Sequence, residues 1–192
     1  MFSRQRDRNA WKRTLVASSM AVALCLSSVL SAQTEKKKIP TGATRLAQYM
    51  QLRESTRLGA EISLQKAVEQ GRITQQEFDC TKASSLDFAL DAYSAAIAAA
   101  LSPSEIKQAN AFFSSPAGHS YLRYSRSLEL HQRGIPDVDP KLGLDKAESA
   151  ATNKFIATSA GKKLIQDRVI ETPELKTELA RGFAALKTQC SA

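Results

Sequence analysis

Leu101-Ser-Pro-Ser-Glu-Ile-Lys-Gln-Ala-Asn-Ala-Phe-Phe-Ser-Ser-Pro-Ala-Gly118 is the stretch from which the fold is read. It opens with a strong helix start: Ser102 as N-cap, Pro103 at the first helical position and Glu105 as an acid in the first turn. The helix carries Phe112 and Phe113, and Ser115-Pro116 then starts a second helix after a very short elbow. Ser115 can cap, Pro116 fits the first helical position, and Gly118 lacks the side chain that would hold a neighbouring helix away. Two phenylalanines at such an elbow read as core filling. The competing reading is a ligand groove lined by Phe112, Phe113 and Tyr121.

The same pattern returns 43 residues later. Under that offset Leu101, Glu105, Asn110, Phe112, Ala117 and Gly118 fall on Leu144, Glu148, Asn153, Phe155, Ala160 and Gly161. Two copies are too few for a solenoid. The echo therefore predicts a duplicated helix-turn-helix, residues 101–118 and a degenerate copy at 144–161, packed on itself.

Outward from this pair, apolar residues recur at helical spacing and no convincing alternating strand pattern occurs. A first helix is expected from Ala43 to Gln70, ended by Gly71. Thr74-Gln-Gln-Glu77 is a capping-box pattern opening a second helix that carries Leu86, Leu90, Tyr93, Ile97 and Leu101. The helix from Pro116 is stopped by Gly134, and Ile135–Lys141 is a turn-rich connection. A fifth helix ends near Phe155, a sixth runs from Ser159 to Ile170, and Thr172-Pro173 opens the last. The expectation is an all-α array of six to seven helices.

The N-terminus reads as an export signal. Arg4, Arg6, Arg8, Lys12 and Arg13 precede an uncharged apolar run, Thr14–Leu30, closed by the small residues Ser31 and Ala32. Residues 1–32 are thus expected to be a signal peptide, 33–42 a flexible polar tail, and 43–192 one helical domain. No arginine pair precedes the run, so the general secretory route is expected, with a periplasmic destination. Secretion or an N-terminal anchor is the alternative. The formal charge of +8 rests on 27 bases and 19 acids, of which the signal holds five and one. Without it 22 bases face 18 acids, a net of +4. That modest excess, with no basic aromatic-rich patch, gives no footing for nucleic-acid binding.

Cys80 and Cys190 remain after the signal is removed, and two thiols in an oxidising compartment commonly pair. Two separate buried thiols are the alternative. Cys190 shares a helical stripe with Leu175, Leu179, Phe183 and Leu186, which points it toward the core.

The run 101–118 resembles the signature of the DUF2059 family, exported bacterial helical domains with a "T/S-x-x-E-L" helix start followed by "F-(Y/F)-x-S-P-x-G". Ser102 and Glu105 match the start, with Ile106 in the leucine place. Phe112, Phe113, Ser115, Pro116 and Gly118 match the second part. The resemblance spans residues 85–135 and the second copy, which has Ser159 in place of the proline. The family has no established activity, so the resemblance implies fold and compartment alone.

Chemistry is thinly signalled. Asp137 and Asp139 begin like a calcium loop, but Leu142 stands where that loop needs glycine. His119 and His131 lack the i, i+4 spacing of a helical zinc pair. No nucleophile elbow or phosphate-binding glycine loop occurs. Asp87 and Asp91 share a helix face at i, i+4, which suits a solvated surface as well as acid–base work. No catalytic, metal or cofactor residues are assigned. The functional expectation is a non-enzymatic, protein-binding module of the cell envelope. The alternative is a structural or surface-associated protein that contacts anionic lipid or cell-wall polymer.

Overall fold

Thr74 and Ser102 cap the helices they are expected to open. Each hydroxyl accepts from the backbone N–H three residues on, and Glu77 and Glu105 reach back to complete both capping boxes. These and the remaining elements come from a computed structural model that describes residues 39–132 and 143–191. Residues 1–32, Gly134, the 135–141 connection with Asp137 and Asp139, and most of the 33–42 tail lie outside the described residues.

The described chain is all-α. Its helices are α1 Thr41–Tyr49, α2 Leu52–Glu69, α3 Gln75–Ala83, α4 Asp87–Ala100, α5 Pro103–Phe113, α6 Pro116–Gln132, α7 Lys146–Ile156, α8 Ser159–Gly161 and α9 Pro173–Cys190. A π-helical stretch, Lys162–Gln166, continues α8.

Two of the expected helices are broken, which raises the count from six or seven to nine among the described residues. The first begins at Thr41, ahead of Ala43, and divides at Gln51, whose φ of 53° lies in the left-handed region. The division separates two packing tasks. Helix α1 buries Ala43, Leu46 and Ala47 against α4 and α5, whereas α2 lies on α3 and α4. The second divides at Ser84 and Ser85. Arg57 on α2 donates to the carbonyls of Lys82 (2.7 Å) and Ser84 (3.0 Å), occupying acceptors that a continuing helix would need. The sixth helix stops at Gln166 instead of Ile170, just before Arg168 turns the chain with a φ of 50°.

The duplicated hairpins pack reciprocally. Helix α5 lies on α8 of the second copy, and α6 lies on α7. Phe112 and Phe155 occupy the same place in their copies and stack on each other, centroids 4.1 Å apart and planes 8° from parallel. A residue that meets its own equivalent, among contacts that are exchanged between copies, is the signature of an approximate two-fold relation. The elbows agree in detail. Ser115 donates to the Phe112 carbonyl at 2.6 Å and accepts from the Gly118 N–H at 3.1 Å; Thr158 repeats both bonds at the same distances with Phe155 and Gly161.

The capping-box glutamates extend this exchange. Glu105 accepts from Ser159 at 2.5 Å and lies 2.9 Å from the Lys163 ammonium, both in the second copy. Glu148 accepts from Ser120 of the first copy at 2.5 Å, and Ser120 is the offset equivalent of Lys163. The Ser159 hydroxyl, the Lys163 ammonium and the Ser102 backbone N–H hold the Glu105 carboxyl down at about 2.

The main core gathers Leu46, Ile97, Leu101, Ile106, Phe113 and Phe155. Asn110 adds a tether by donating to the Gly42 carbonyl at 2.9 Å, which fixes α1 on α5. A smaller core of Leu86, Ala89 and Leu186 joins α4 to α9.

Two outcomes follow from the clasp and the elbow. Glu105 has a folded-state value below its ordinary 4.5, so its contribution is present above 4.5 and fades as pH falls toward about 2. Melting curves of wild type and Glu105→Gln should therefore differ most near neutral pH and converge across that window. Gly161→Ala should destabilise by ~1–3 kcal/mol or more in urea unfolding, because the added Cβ would meet the Phe155 carbonyl oxygen at 2.0 Å.

Candidate functional site

The three segments that bound an open groove are far apart in sequence. From α2 come Gly59, Ala60, Ser63 and Leu64; Ile73 follows Gly71, whose φ of 65° turns the chain. Helix α3 contributes Glu77 and Thr81, and α9 contributes Phe183, Lys187 and Cys190, with Ser191 beyond its end. The depression encloses about 480 Å³ and opens to solvent. Volumes of ~300–1,000 Å³ with mostly apolar walls and few polar groups are those of small-ligand pockets.

Cys80 and Cys190 are bridged along this groove, with sulfurs 2.00 Å apart and Cα atoms separated by 5.6 Å. The bridge spans 110 residues and fastens the end of α9 to α3. A second tie lies beside it. Glu77 accepts from the Ser191 hydroxyl at 2.8 Å while also accepting from the Thr74 backbone N–H (2.7 Å) and hydroxyl (3.0 Å). The Thr74 backbone N–H first, then the Ser191 and Thr74 hydroxyls, hold the Glu77 carboxyl below its ordinary value.

Aromatic packing closes the inner side. Phe183 meets Phe88 edge to face, centroids 5.2 Å apart, over the smaller core. The groove floor is therefore backed by packed rings.

The elbow residues singled out in the sequence sit elsewhere. Phe113 is buried, and Phe112 stacks on Phe155 and meets Phe113 edge to face at 5.1 Å. Tyr121 lies 6.3 Å from Phe112 and 6.5 Å from Phe113. Ser115 spends its hydroxyl within the elbow, Pro116 begins α6, and a Cβ on Gly118 would meet the Phe112 carbonyl oxygen at 2.2 Å. These six residues form a filled joint. Asp87 and Asp91 are exposed on α4, with Asp87 accepting from Arg53 at 3.2 Å. Among the described residues no group of three His, Cys, Asp or Glu side chains is placed to hold a metal ion. No helix among them is long and apolar enough to cross a membrane.

Of the groove residues only Glu77, Phe183 and Cys190 stood out in the sequence, the first as a helix cap and the others on a helical stripe. One signal was available. Gly59 sits in the interior of α2, where glycine costs ~0.5–1 kcal/mol relative to alanine. A Cβ placed there would touch nothing within 4 Å. Packing gives no reason for a glycine at this position.

A second depression of about 470 Å³ lies where the alanines of α4 face Leu175 and Glu178 of α9. Its charged lining is acidic, Glu174 and Glu178.

No protein-family model, no curated protein and no solved structure matches the chain. The class defined by fold and site is thus an all-α domain with a disulfide-bordered apolar groove.

The bridge should carry much of the attachment of α9. Replacing Cys80 and Cys190 together by alanine should lower unfolding free energy by ~2–4 kcal/mol in urea. Equal stability of the two proteins would mean that apolar packing alone holds the helix in place.

Proposed function

We propose that this chain is an exported, non-enzymatic binding module of the cell envelope, docking its ligand in the groove between α2, α3 and α9. The observation that carries the reading is the groove itself: an open, mainly apolar cavity of about 480 Å³ whose outer helix is fastened by a disulfide. A fixed wall suits binding, because a cleft that is already shaped loses less conformational entropy when it is filled. The volume narrows the expectation of a protein partner. Stable protein interfaces bury ~1,600 Å² over broad faces, whereas this cavity has the dimensions of a small-ligand site.

Export is supported by the basic, apolar and small-residue sequence of residues 1–32, and by two cysteines bridged as an oxidising compartment allows. The 101–118 motif, with its resemblance to DUF2059 domains, supports the same compartment.

Photo-cross-linking in living cells tests the reading. A photoreactive residue at Ser63, on the lip of the groove, should capture a ligand adduct that is lost when Gly59→Leu is added. The same residue at Gln108, exposed on α5, should capture none. Equal capture at both positions, or adducts indifferent to Gly59→Leu, would refute the groove as docking site. The mature protein should be recovered from the periplasm beginning at Gln33.

A further inference from the structure

The charges around the groove are unequal in availability. Glu77 is the carboxylate in its lining, and it already accepts three hydrogen bonds from Thr74 and Ser191. Lys187, in the same lining, is exposed, and its ammonium helps hold the Glu77 carboxyl down by charge without hydrogen-bonding to it. Lys66 continues the Gly59–Ser63 stripe of α2 at helical spacing, and Arg72 precedes Ile73 in the chain. Both are exposed. Three exposed cations, Lys66, Arg72 and Lys187, thus stand beside a mainly apolar cavity, among the carboxylates Glu69, Glu77 and Asp79.

The floor bears on the shape of the occupant. Ala60, Leu64, Ile73 and Phe183 line it, with the Cys190 sulfur at one side. The polar lining groups are few: Ser63, Thr81 and Ser191 beside Glu77 and Lys187. Gly59 keeps one wall open at a position where an added Cβ would meet nothing within 4 Å. A flexible alkyl chain satisfies such a surface without leaving polar groups unpaired. A polar ligand of the same volume would lose its own hydration there.

Resting on the reading of the groove as a docking site, we infer that its ligand is a single-chain anionic amphiphile, a long-chain fatty acid. The alkyl chain lies along Ala60, Leu64 and Phe183, and the carboxylate meets Lys187. Binding is non-covalent. The cation sets the polarity of the head group, and the apolar floor sets the dependence on chain length.

Calorimetric titration of the full oxidised protein with monomeric myristate provides the test. One myristate per chain should bind saturably, and shorter laurate should bind more weakly, by on the order of fourfold per methylene removed. Tetradecyltrimethylammonium, with the same chain and the opposite charge, should bind ~10-fold more weakly than myristate. Lys187→Glu, an exposed change on α9, should cost myristate a similar ~10-fold. Gly59→Leu should abolish binding while melting at the same temperature or higher, since it fills open space and improves helix propensity.

Absence of saturable binding, equal affinity for the two head-group charges, or full affinity in Gly59→Leu would each overturn the inference. Tighter binding of zwitterionic lysophosphatidylcholine than of myristate would also overturn it, in favour of a lysolipid. A Ser63 photo-adduct blocked by Gly59→Leu, obtained alongside a failed myristate titration, would reject the fatty acid and leave the binding module standing. Loss of both would reject the module as well.

Discussion

The stack of Phe112 on Phe155 is the constraint around which the rest of the chain is arranged. Two rings in equivalent positions can lie face to face at 4.1 Å only if the two hairpins face each other across an approximate two-fold axis. That arrangement requires close elbows, and Gly118 and Gly161 supply them, each with a carbonyl where a Cβ would sit. It also brings the glutamate that caps one hairpin against hydroxyl or ammonium groups of the other. The capping box, a local device for starting a helix, thereby becomes a cross-link between copies. Glu105 serves Ser102 within its helix and Ser159 and Lys163 across the interface.

Against this frame the other helices are attached by separate means. Helix α1 is held by its buried Leu46 and by the bond from Asn110 to Gly42. Helix α4 reaches from the main core, through Ile97, to the smaller one, through Leu86 and Ala89. Helix α9 lies furthest from the hairpin pair in its fastening. It rests on the smaller core and on the Cys80–Cys190 bridge, with Ser191 bonded to Glu77. The groove exists because α9 is held at its ends and edge while Gly59 and Ala60 leave the α2 side unfilled. Its shape thus depends on the covalent tie to α3 together with the close packing of α9 on α4, where the Phe88 ring lies against Gly182.

Much of the frame was legible in the residues. The Thr74–Glu77 and Ser102–Glu105 boxes, the proline starts at Pro103, Pro116 and Pro173, and the 43-residue echo are local patterns with local causes. Pairing of the two cysteines was expected from their number and from the export-like N-terminus, and the bridge is present. The breaks were not legible. Gln51 adopts a left-handed φ without being glycine or asparagine, where α1, packed on α4 and α5, gives way to α2, packed on α3 and α4. The end of α3 depends on Arg57, 27 residues upstream of the Ser84 carbonyl it binds. The groove escaped for the same reason: α2, α3 and α9 meet only in the folded chain, and Lys187 gains its meaning from Ala60 and Leu64. The aromatic elbow, conspicuous in sequence, is a filled joint because its rings find one another and Phe155.

A self-clasped hairpin pair thus forms the rigid frame, and the disulfide holds a separable groove wall onto it. Hydrogen exchange followed by mass spectrometry, with and without reduction of Cys80–Cys190, tests this most directly. Reduction should speed exchange in α3 and α9 while α5, α6, α7 and α8 keep their protection. Uniform loss of protection across all of these helices, or unchanged protection in α9, would contradict it.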